Sequence, residues 1–192
     1  MKKLSLLAAV AFTAVLFSFK TIAPATWTVD KAHSKLTFTI THMGISDVEG
    51  SFKSFDATIA TTGEDFSNAT LDFTGDASSL STDNDARDKH VKSDAFLDVA
   101  KYPTITFKST SFKKTGANAY TIVGNLTLHG VTKPVTLNAT VRTGVGMNKK
   151  PVAGFKISGS LNRKDFEVGS GFGNAMLSDD ITIAANGEFG QK

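Results

Sequence analysis

Eight segments of the chain alternate apolar and polar residues with a period of two. In the first segment, Leu36, Phe38 and Ile40 alternate with threonines. Successive side chains of a strand point to opposite faces, so each segment predicts an antiparallel strand with one dry face. The apolar sets of the other seven segments begin at Phe52, Ala69, Ile105, Tyr120, Val135, Phe155 and Ile181.

Eight strands with one dry face each need a layer to cover that face. The simplest solution is for the sheet to close on itself, because closure also removes its exposed edges. The chain is therefore predicted to be all-β, an eight-stranded antiparallel barrel, with a two-sheet sandwich as the alternative. A barrel of this size is wide enough to hold one small ligand. A change of phase between Phe52 and Phe55 predicts a β-bulge.

One stretch interrupts the strands and predicts a helical insertion over about 83–98. Thr82 and Asp85 have the spacing of a capping box, and both Asp85 and Asp88 precede a lysine by four positions, which favours a helix. The pattern predicts that the helix breaks near Ser93.

The apolar residues of this insertion include Val91 and Phe96. A single helix in a strand meander usually covers an open edge or the mouth of a barrel. The insertion is therefore the candidate gate of the space that the strands enclose.

Residues 1–25 have the features of a secretory signal peptide. Two lysines near the start precede an uncharged run over residues 4–19, and Ala23 and Ala25 are the small residues of a cleavage site. Residues 26–192 are then the mature domain, and the protein is predicted to be periplasmic or secreted. An uncleaved membrane anchor is the alternative, although the run is short for a span.

Charge excludes one class of partner. Three of the 21 lysines and arginines belong to the leader, which leaves 18 basic residues against 18 acidic ones. A mature protein with no net charge gives no reason to predict nucleic-acid binding. The chain has no cysteine, so it can form no disulfide.

The inward face predicted by the alternation is rich in phenylalanine and glycine. One interpretation is a packed core, and the other is a hollow apolar cavity in which the glycines leave room. A hollow cavity would bind a long apolar chain, since each methylene taken from water contributes about 0.8 kcal/mol. The inward set includes Phe38, Phe52, Phe55, Phe73, Phe107, Phe155 and Phe189, with Gly50, Gly124, Gly159 and Gly187.

Two polar residues continue the inward phase at strand ends, namely His42 and Arg163. An inward arginine needs a partner, because an unpaired buried charge is costly. One alternative is an internal ion pair with Asp165, Asp179 or Asp180. The other is a contact with the head group of a ligand, which suits the planar guanidinium.

Catalytic and metal signals are weak. His33 and Ser34 are adjacent but lie in no nucleophile elbow, and the four histidines have no tight metal-ligand spacing. We therefore expect no catalytic residue, no metal site and no cofactor, and we expect that the protein is not an enzyme.

Six motifs in order resemble the YceI family of lipocalin-like, polyisoprenoid-binding periplasmic proteins. They are WTVDKAHS at 27–34, GSF at 50–52, RDKHV within 82–98, YPTITFKS at 102–109, GNLTLHGVTK at 124–133 and RKDF at 163–166. The resemblance extends from about Trp27 to Phe189. Val91 and Leu97 depart mildly from the family pattern, where leucine and phenylalanine are expected.

The resemblance implies a lipocalin-like barrel that holds a long-chain isoprenoid, such as an isoprenoid quinone, along its axis. It also implies transient membrane contact for lipid exchange, and it leaves the oligomeric state open, a dimer included. The competing hypotheses are an enzyme that acts on a bound lipid and an exported structural or stress-related barrel with a filled core.

Together with the inward phase, the resemblance predicts one set of ligand-binding residues. The set consists of Phe38, Ile40, His42, Phe52, Phe73, Val91, Phe96, Phe107, Leu126, Leu128, Phe155, Ile157, Leu161, Arg163 and Phe166.

Overall fold

The computed structural model describes residues 24–63 and 65–192. The predicted signal peptide falls almost entirely on residues 1–23, which lie outside the described part. The strands are β1 (Ala25–His42), β2 (Ser46–Phe52), β3 (Phe55–Thr61), β4 (Thr70–Asp76), β5 (Leu80–Ser81), β6 (Thr104–Lys114), β7 (Ala119–Leu128), β8 (Val131–Val145), β9 (Pro151–Asn162) and β10 (Leu177–Gln191). One α-helix, α1 (Asp85–Lys92), and two 3₁₀ turns, Ala77–Ser79 and Arg163–Phe166, complete the described elements.

The ten strands form a closed antiparallel barrel with eight strand paths. The long strand β1 pairs with β2 through residues 36–42 and with β3 through residues 25–28, so β2 and β3 are two pieces of one path. In the same way β4 pairs with β3, and β5 pairs with β2. Pairing of β1 with β10 closes the sheet. This confirms the predicted eight-stranded barrel and excludes the sandwich.

The change of phase between Phe52 and Phe55 is a break in one path, so the predicted bulge at this place is wrong. The chain leaves the β-ladder at residues 53 and 54 and bonds to the neighbouring 3₁₀ turn. Lys53 N donates to the carbonyl of Ser79 at 3.2 Å, and Ser54 N donates to Ser79 Oγ at 3.0 Å. The backbone groups of the break are thereby satisfied although the strands are interrupted.

The predicted helical insertion is present but shorter than 83–98. Helix α1 ends at Lys92, and Ser93 is its C-cap, which confirms the predicted break. Residues 94–101 continue in turns. Within residues 24–63 and 65–192, no helix is long and apolar enough to cross a membrane.

The helix is capped by a residue that the capping-box pattern does not identify. Asn84 is the N-cap, and its Oδ1 accepts a hydrogen bond from Arg87 N at 2.9 Å. Thr82 instead donates through its backbone N and Oγ1 to the buried Asp88, at 2.7 and 2.6 Å. Burial raises the pKa of Asp88, but the bonds from Thr82 outweigh it and keep that pKa below its ordinary value.

The end of the barrel opposite the helix is filled by aromatic side chains. The loop between β3 and β4 carries Phe66, which is buried against Trp27 and Phe155 with ring centroids 5.3 and 4.9 Å away. The same loop is tied to β6 by an ion pair between Asp65 and Lys114, at 2.8 Å. This ion pair therefore helps to hold the aromatic plug in place.

The Asp65 pair makes stability depend on pH in a defined window. The hydrogen bond from Lys114 lowers the pKa of Asp65 to about 2, so the carboxylate favours the folded state above the unfolded pKa near 3.8 and this contribution is lost as pH falls to about 2. Both side chains are about 40% exposed, so solvent screens the pair. Asp65→Asn should lower the free energy of unfolding by less than about 1 kcal/mol at neutral pH, and the difference should vanish towards pH 2. Urea unfolding at several pH values measures this.

Lys113→Gln is the matched control for this prediction. Lys113 is the exposed neighbour of Lys114 on β6. A loss of stability in Asp65→Asn that stays constant from neutral pH to pH 2 would contradict the assigned ionisation.

Candidate ligand-binding cavity

The barrel encloses a cavity of about 500 Å³. This volume lies within the range of small-molecule sites in proteins. The lining is almost wholly apolar, and within the described residues it contains no Asp or Glu. The ionisable side chains that line it are Lys35, His42, Arg87, His90 and Arg163.

Several aromatic side chains are inside the barrel but only partly buried. Phe38, Phe52, Phe55 and Phe73 line the cavity and keep part of their surface exposed to it. In a filled core the same inward positions would be fully buried. The interior is therefore hollow, which favours the cavity interpretation over the packed core.

The structure brings the predicted ligand-binding residues together around this cavity, with one exception. Every residue of the predicted set except Phe166 lines it. Phe166 is 1% exposed and lies in the 3₁₀ turn that follows β9, where its carbonyl accepts a hydrogen bond from His129 Nδ1 at 3.2 Å. Phe166 does not line the cavity, because the chain leaves the strand before it. Contact of the other residues with a ligand stays a prediction.

The cavity also has lining residues that the predicted set omits. One group belongs to the same alternation that predicts the strands. The other extends from the irregular segment after Arg163 to the first residue of β10, where no alternation marks the inward side chains. The first group includes Leu36, Phe55, Leu137, Ile181 and Ile183, and the second consists of Val168, Phe172, Met176 and Leu177.

The inward glycines do not create the cavity. A neighbouring side chain lies over each of three glycines, so closely that a Cβ would overlap it. The ring of Phe38 covers Gly50, the ring of Phe107 covers Gly124, and the side chain of Leu137 covers Gly159. The idea that these glycines leave room was therefore wrong. Their role is to let the covering side chains lie close against the wall.

The helix end of the barrel is closed by an aromatic cluster. Phe96 stacks on Phe172 with centroids 4.7 Å apart and an interplanar angle of 18°, and His90 meets Phe96 edge-on at 5.1 Å. Gly169, with φ +58°, lies directly under the ring of Phe96. The left-handed backbone and the close contact both require glycine at this position.

The cavity reaches exposed residues beside this cluster. His42, Arg87, His90 and Met176 line the cavity and are themselves exposed. The opening therefore lies between α1, the β1–β2 hairpin and the segment that leads into β10.

The cavity also reaches the surface through the wall. The β1–β10 pairing shifts register between Asp30 and Lys35, so residues 31–34 of β1 stand opposite Gly187 alone and form a bulge. Lys35 and Asn186 pair next to this bulge, are exposed, and line the cavity.

Arg163 is fully buried and bonded to the protein itself. Its side chain is 1% exposed and makes an ion pair with Asp179 at 3.1 Å. All of its other partners are backbone carbonyls of the segment between β9 and β10 and of the start of β10. The guanidinium donates to Val168, Gly169, Phe172, Leu177 and Ser178 at 2.5–3.2 Å.

These bonds decide between the two alternatives for Arg163. A guanidinium has five N–H donors, and the six acceptors around Arg163 use all of them. The internal ion pair with Asp179 is therefore present, and no donor is left for a head group. Arg163 lines the cavity, and its hydrogen bonds hold residues 168–179 in place.

Potential catalytic and metal-ligating groups meet at the side of the barrel where Ser34 lines the cavity. Ser34 Oγ accepts a hydrogen bond from Glu188 N at 3.1 Å, while His33 Nδ1 is 2.8 Å from Asp30 Oδ2. The bond to Asp30 raises the pKa of His33 and lowers that of Asp30. Asp30, His33 and Glu188 bring one potential metal ligand each within 4.8 Å of one another. Ser34 Oγ has no hydrogen bond to the His33 ring in the described part of the chain, so the two side chains are not arranged as a nucleophile and its base.

Comparison with known proteins identifies the family to which this chain belongs. Residues 27–189 match the family model described as a YceI-like domain. The chain is 38% identical over 182 residues to Protein YceI of Salmonella agona, which covers 92% of this chain and 93% of the relative.

Two solved structures share the fold. Burkholderia cenocepacia BcnA has a TM-score of 0.75 and 25% identity, covering 83% of this chain and 98% of BcnA. A polyisoprenoid binding domain from Saccharophagus degradans, implicated in plant cell wall breakdown, has a TM-score of 0.63 and 16% identity, covering 86% of this chain and 98% of that domain. At that identity the second match shows the fold alone.

The bonds of Arg163 predict a stability effect that needs no ligand. Arg163→Met should lower the free energy of unfolding of the delipidated protein by about 3–5 kcal/mol, because it removes one partner of a buried ion pair and leaves buried carbonyls without donors. Lys164→Met is the control, since Lys164 also contacts Asp179 at 3.1 Å but is 43% exposed. It should cost less than about 1 kcal/mol. Unchanged stability of Arg163→Met together with weaker lipid binding would contradict this stabilising role of Arg163 and favour the head-group contact.

Proposed function

The chain belongs to the YceI-like family, and on that premise we propose that it is an exported binding protein for a long-chain isoprenoid or a similar amphiphilic lipid. The protein holds one lipid inside the barrel for carriage, storage or sequestration. The observation that carries this proposal is the hollow apolar cavity of about 500 Å³, which has no carboxylate in its lining over residues 24–63 and 65–192. No cofactor other than the lipid is needed for this role.

The energetics of the cavity favour a chain-like ligand. Apolar side chains from every strand path and from α1 line the space, so the ligand gains affinity mainly from burial of its own methylenes. The solved polyisoprenoid binding domain of Saccharophagus degradans has the same fold, which supports an isoprenoid as the chain.

The polar end of the lipid is best placed at the helix end of the cavity. His42 and Arg87 are exposed there, and Arg87 is held in place by Nε and Nη2 bonds to Thr82 at 2.8 and 2.9 Å. Because no carboxylate lines the cavity in the described part of the chain, the arrangement favours a neutral or anionic head group over a cationic one.

Binding is better supported than catalysis on a bound lipid. A general acid or base must reach the reacting group. Among the described residues the cavity lining has no carboxylate, and its two histidines, His42 and His90, lie at the exposed helix end. Ser34 lines the cavity, but its Oγ accepts a hydrogen bond from Glu188 N and is not bonded to His33 in the described part of the chain.

Export predicts a processed N-terminus. The uncharged run and the small residues at Ala23 and Ala25 should lead to cleavage, so the mature protein should begin at or near Thr26. N-terminal sequencing of protein from a periplasmic extract measures this. Recovery of the intact chain in the membrane fraction would show that the leader is an anchor.

Filling the cavity should abolish lipid binding without unfolding the barrel. Ile183 on β10 is partly buried and lines the cavity, and Thr182 beside it is exposed on the outer face. Ile183→Trp should weaken binding of geranylgeraniol at least tenfold, because the indole occupies the space of the chain, whereas Thr182→Trp should bind as the wild type does. Titration of the delipidated proteins measures both affinities.

Stability measurements on the same variants separate a hollow barrel from a packed one. Overpacking of a filled core costs typically about 1–3 kcal/mol, and a hollow barrel should lose much less in Ile183→Trp. Wild-type affinity in Ile183→Trp would place the ligand elsewhere and contradict the proposal.

A further inference from the structure

The charges of the barrel are segregated along the chain. All 18 Asp and Glu residues lie within positions 30–98 and 165–188, so residues 99–164 contain none. Residues 104–162 form β6 to β9, which are consecutive in the barrel wall. The balanced net charge of the mature chain therefore conceals one basic half and one acidic half.

The most basic part of this half is the β8–β9 hairpin. At the borders of the half, acidic neighbours offset lysines, since Lys114 pairs with Asp65 and Lys164 with Asp179. On the hairpin the cations are all exposed, and none has a carboxylate within ion-pair distance among residues 24–63 and 65–192. These cations are Lys133, Arg142, Lys149, Lys150 and Lys156.

The same hairpin projects beyond its neighbour and carries apolar side chains at its tip. Pairing between β7 and β8 ends at Ala119 and Thr140, whereas β8 and β9 stay paired as far as Val145 and Pro151. Val145 is 73% exposed and Met147 is fully exposed. Large apolar residues are thus presented to solvent at the end of a cationic ribbon.

We propose that the β8–β9 hairpin docks the protein on the surface of an anionic lipid bilayer. Apolar side chains that enter the interface and cations that meet anionic head groups are the two terms that hold a protein on such a surface. The charge of the hairpin is complementary to that surface, and its projection lets the tip reach the membrane before the rest of the barrel.

The other exposed apolar residues do not form an equivalent surface. Met43, Ile45 and Met176 lie at the helix end, and the exposed carboxylates of Asp47 and Glu49 belong to the same β1–β2 hairpin. Anionic lipids would repel these carboxylates. The charge distribution therefore selects the β8–β9 hairpin as the docking element.

The docking element borders a place where the cavity reaches the surface. Lys156 pairs with Asn186 on β10, and Asn186 pairs with Lys35 on β1. Lys35 and Asn186 are the exposed lining residues beside the bulge of β1. A barrel docked through this face brings the bulge close to the bilayer.

Vesicle sedimentation tests the proposal with the full chain, expressed with its own leader and recovered from a periplasmic extract. The wild type should bind vesicles of equal parts phosphatidylcholine and phosphatidylglycerol, should bind pure phosphatidylcholine weakly, and should be released by salt. Lys149→Gln/Lys150→Gln should weaken binding about 25-fold, from about 1 kcal/mol for each lysine near the surface. Met147→Ser should also weaken it.

Matched variants on the acidic half serve as controls. Lys89→Gln/Lys92→Gln removes the same charge from α1, and Met43→Ser removes an exposed methionine at the helix end. Both should bind the anionic vesicles within about twofold of the wild type.

Several results would overturn the proposal. Two of them concern vesicles: binding of the wild type to pure phosphatidylcholine as strong as to the anionic vesicles, and a loss of binding in Lys89→Gln/Lys92→Gln as large as in the hairpin variant. The other two point to another partner: affinity for a soluble polyanion without affinity for vesicles, and a dimer of the wild type that Met147→Ser dissociates. Failure of this proposal can be told apart from failure of the proposed lipid binding, because the lipid content of each preparation is measured separately by extraction. Lys149→Gln/Lys150→Gln should keep its lipid content while it loses vesicle binding.

Discussion

The closure of the sheet between β1 and β10 is the constraint on which the rest of the structure depends. Each strand has one apolar face, and only a closed wall can turn all eight faces towards one another without leaving an open edge. Closure also sets the diameter, which in an eight-stranded barrel allows the interior either to be filled by side chains or to hold one small ligand. The rings of Phe38 and Phe107 lie against Gly50 and Gly124 in the wall, and the axis stays open. The cavity therefore follows from the number of strands and the size of the side chains together.

The two ends of the barrel are closed by different kinds of interaction. The end beside Phe66 is filled with aromatic rings, which need no polar partners. At the helix end, the irregular segment after β9 would expose unpaired carbonyls to an apolar space, and the buried guanidinium of Arg163 satisfies them. One buried cation thus allows a loop, rather than a regular element, to support the ring stack of Phe96 and Phe172.

The strands, the closed barrel and most of the cavity lining could be predicted because alternation of period two is a local signal that tertiary packing reinforces. The errors lie where the signal is not local. The cap at Asn84 and the turn at Phe166 depend on which backbone groups need partners, and the alternation does not report them. The Gly124 error arose because sequence phase shows that a residue faces inward but not which side chain covers it. The segregation of charge was visible in the sequence, but the net charge conceals it.

The central claim is that the hollow barrel holds one long-chain lipid. Organic extraction of the protein from a periplasmic extract, followed by mass spectrometry, tests this claim most directly. The account predicts about one molecule of a single class of long-chain isoprenoid or related amphiphile per barrel. Extracts that contain no lipid above the level of a control protein purified in the same way would contradict it.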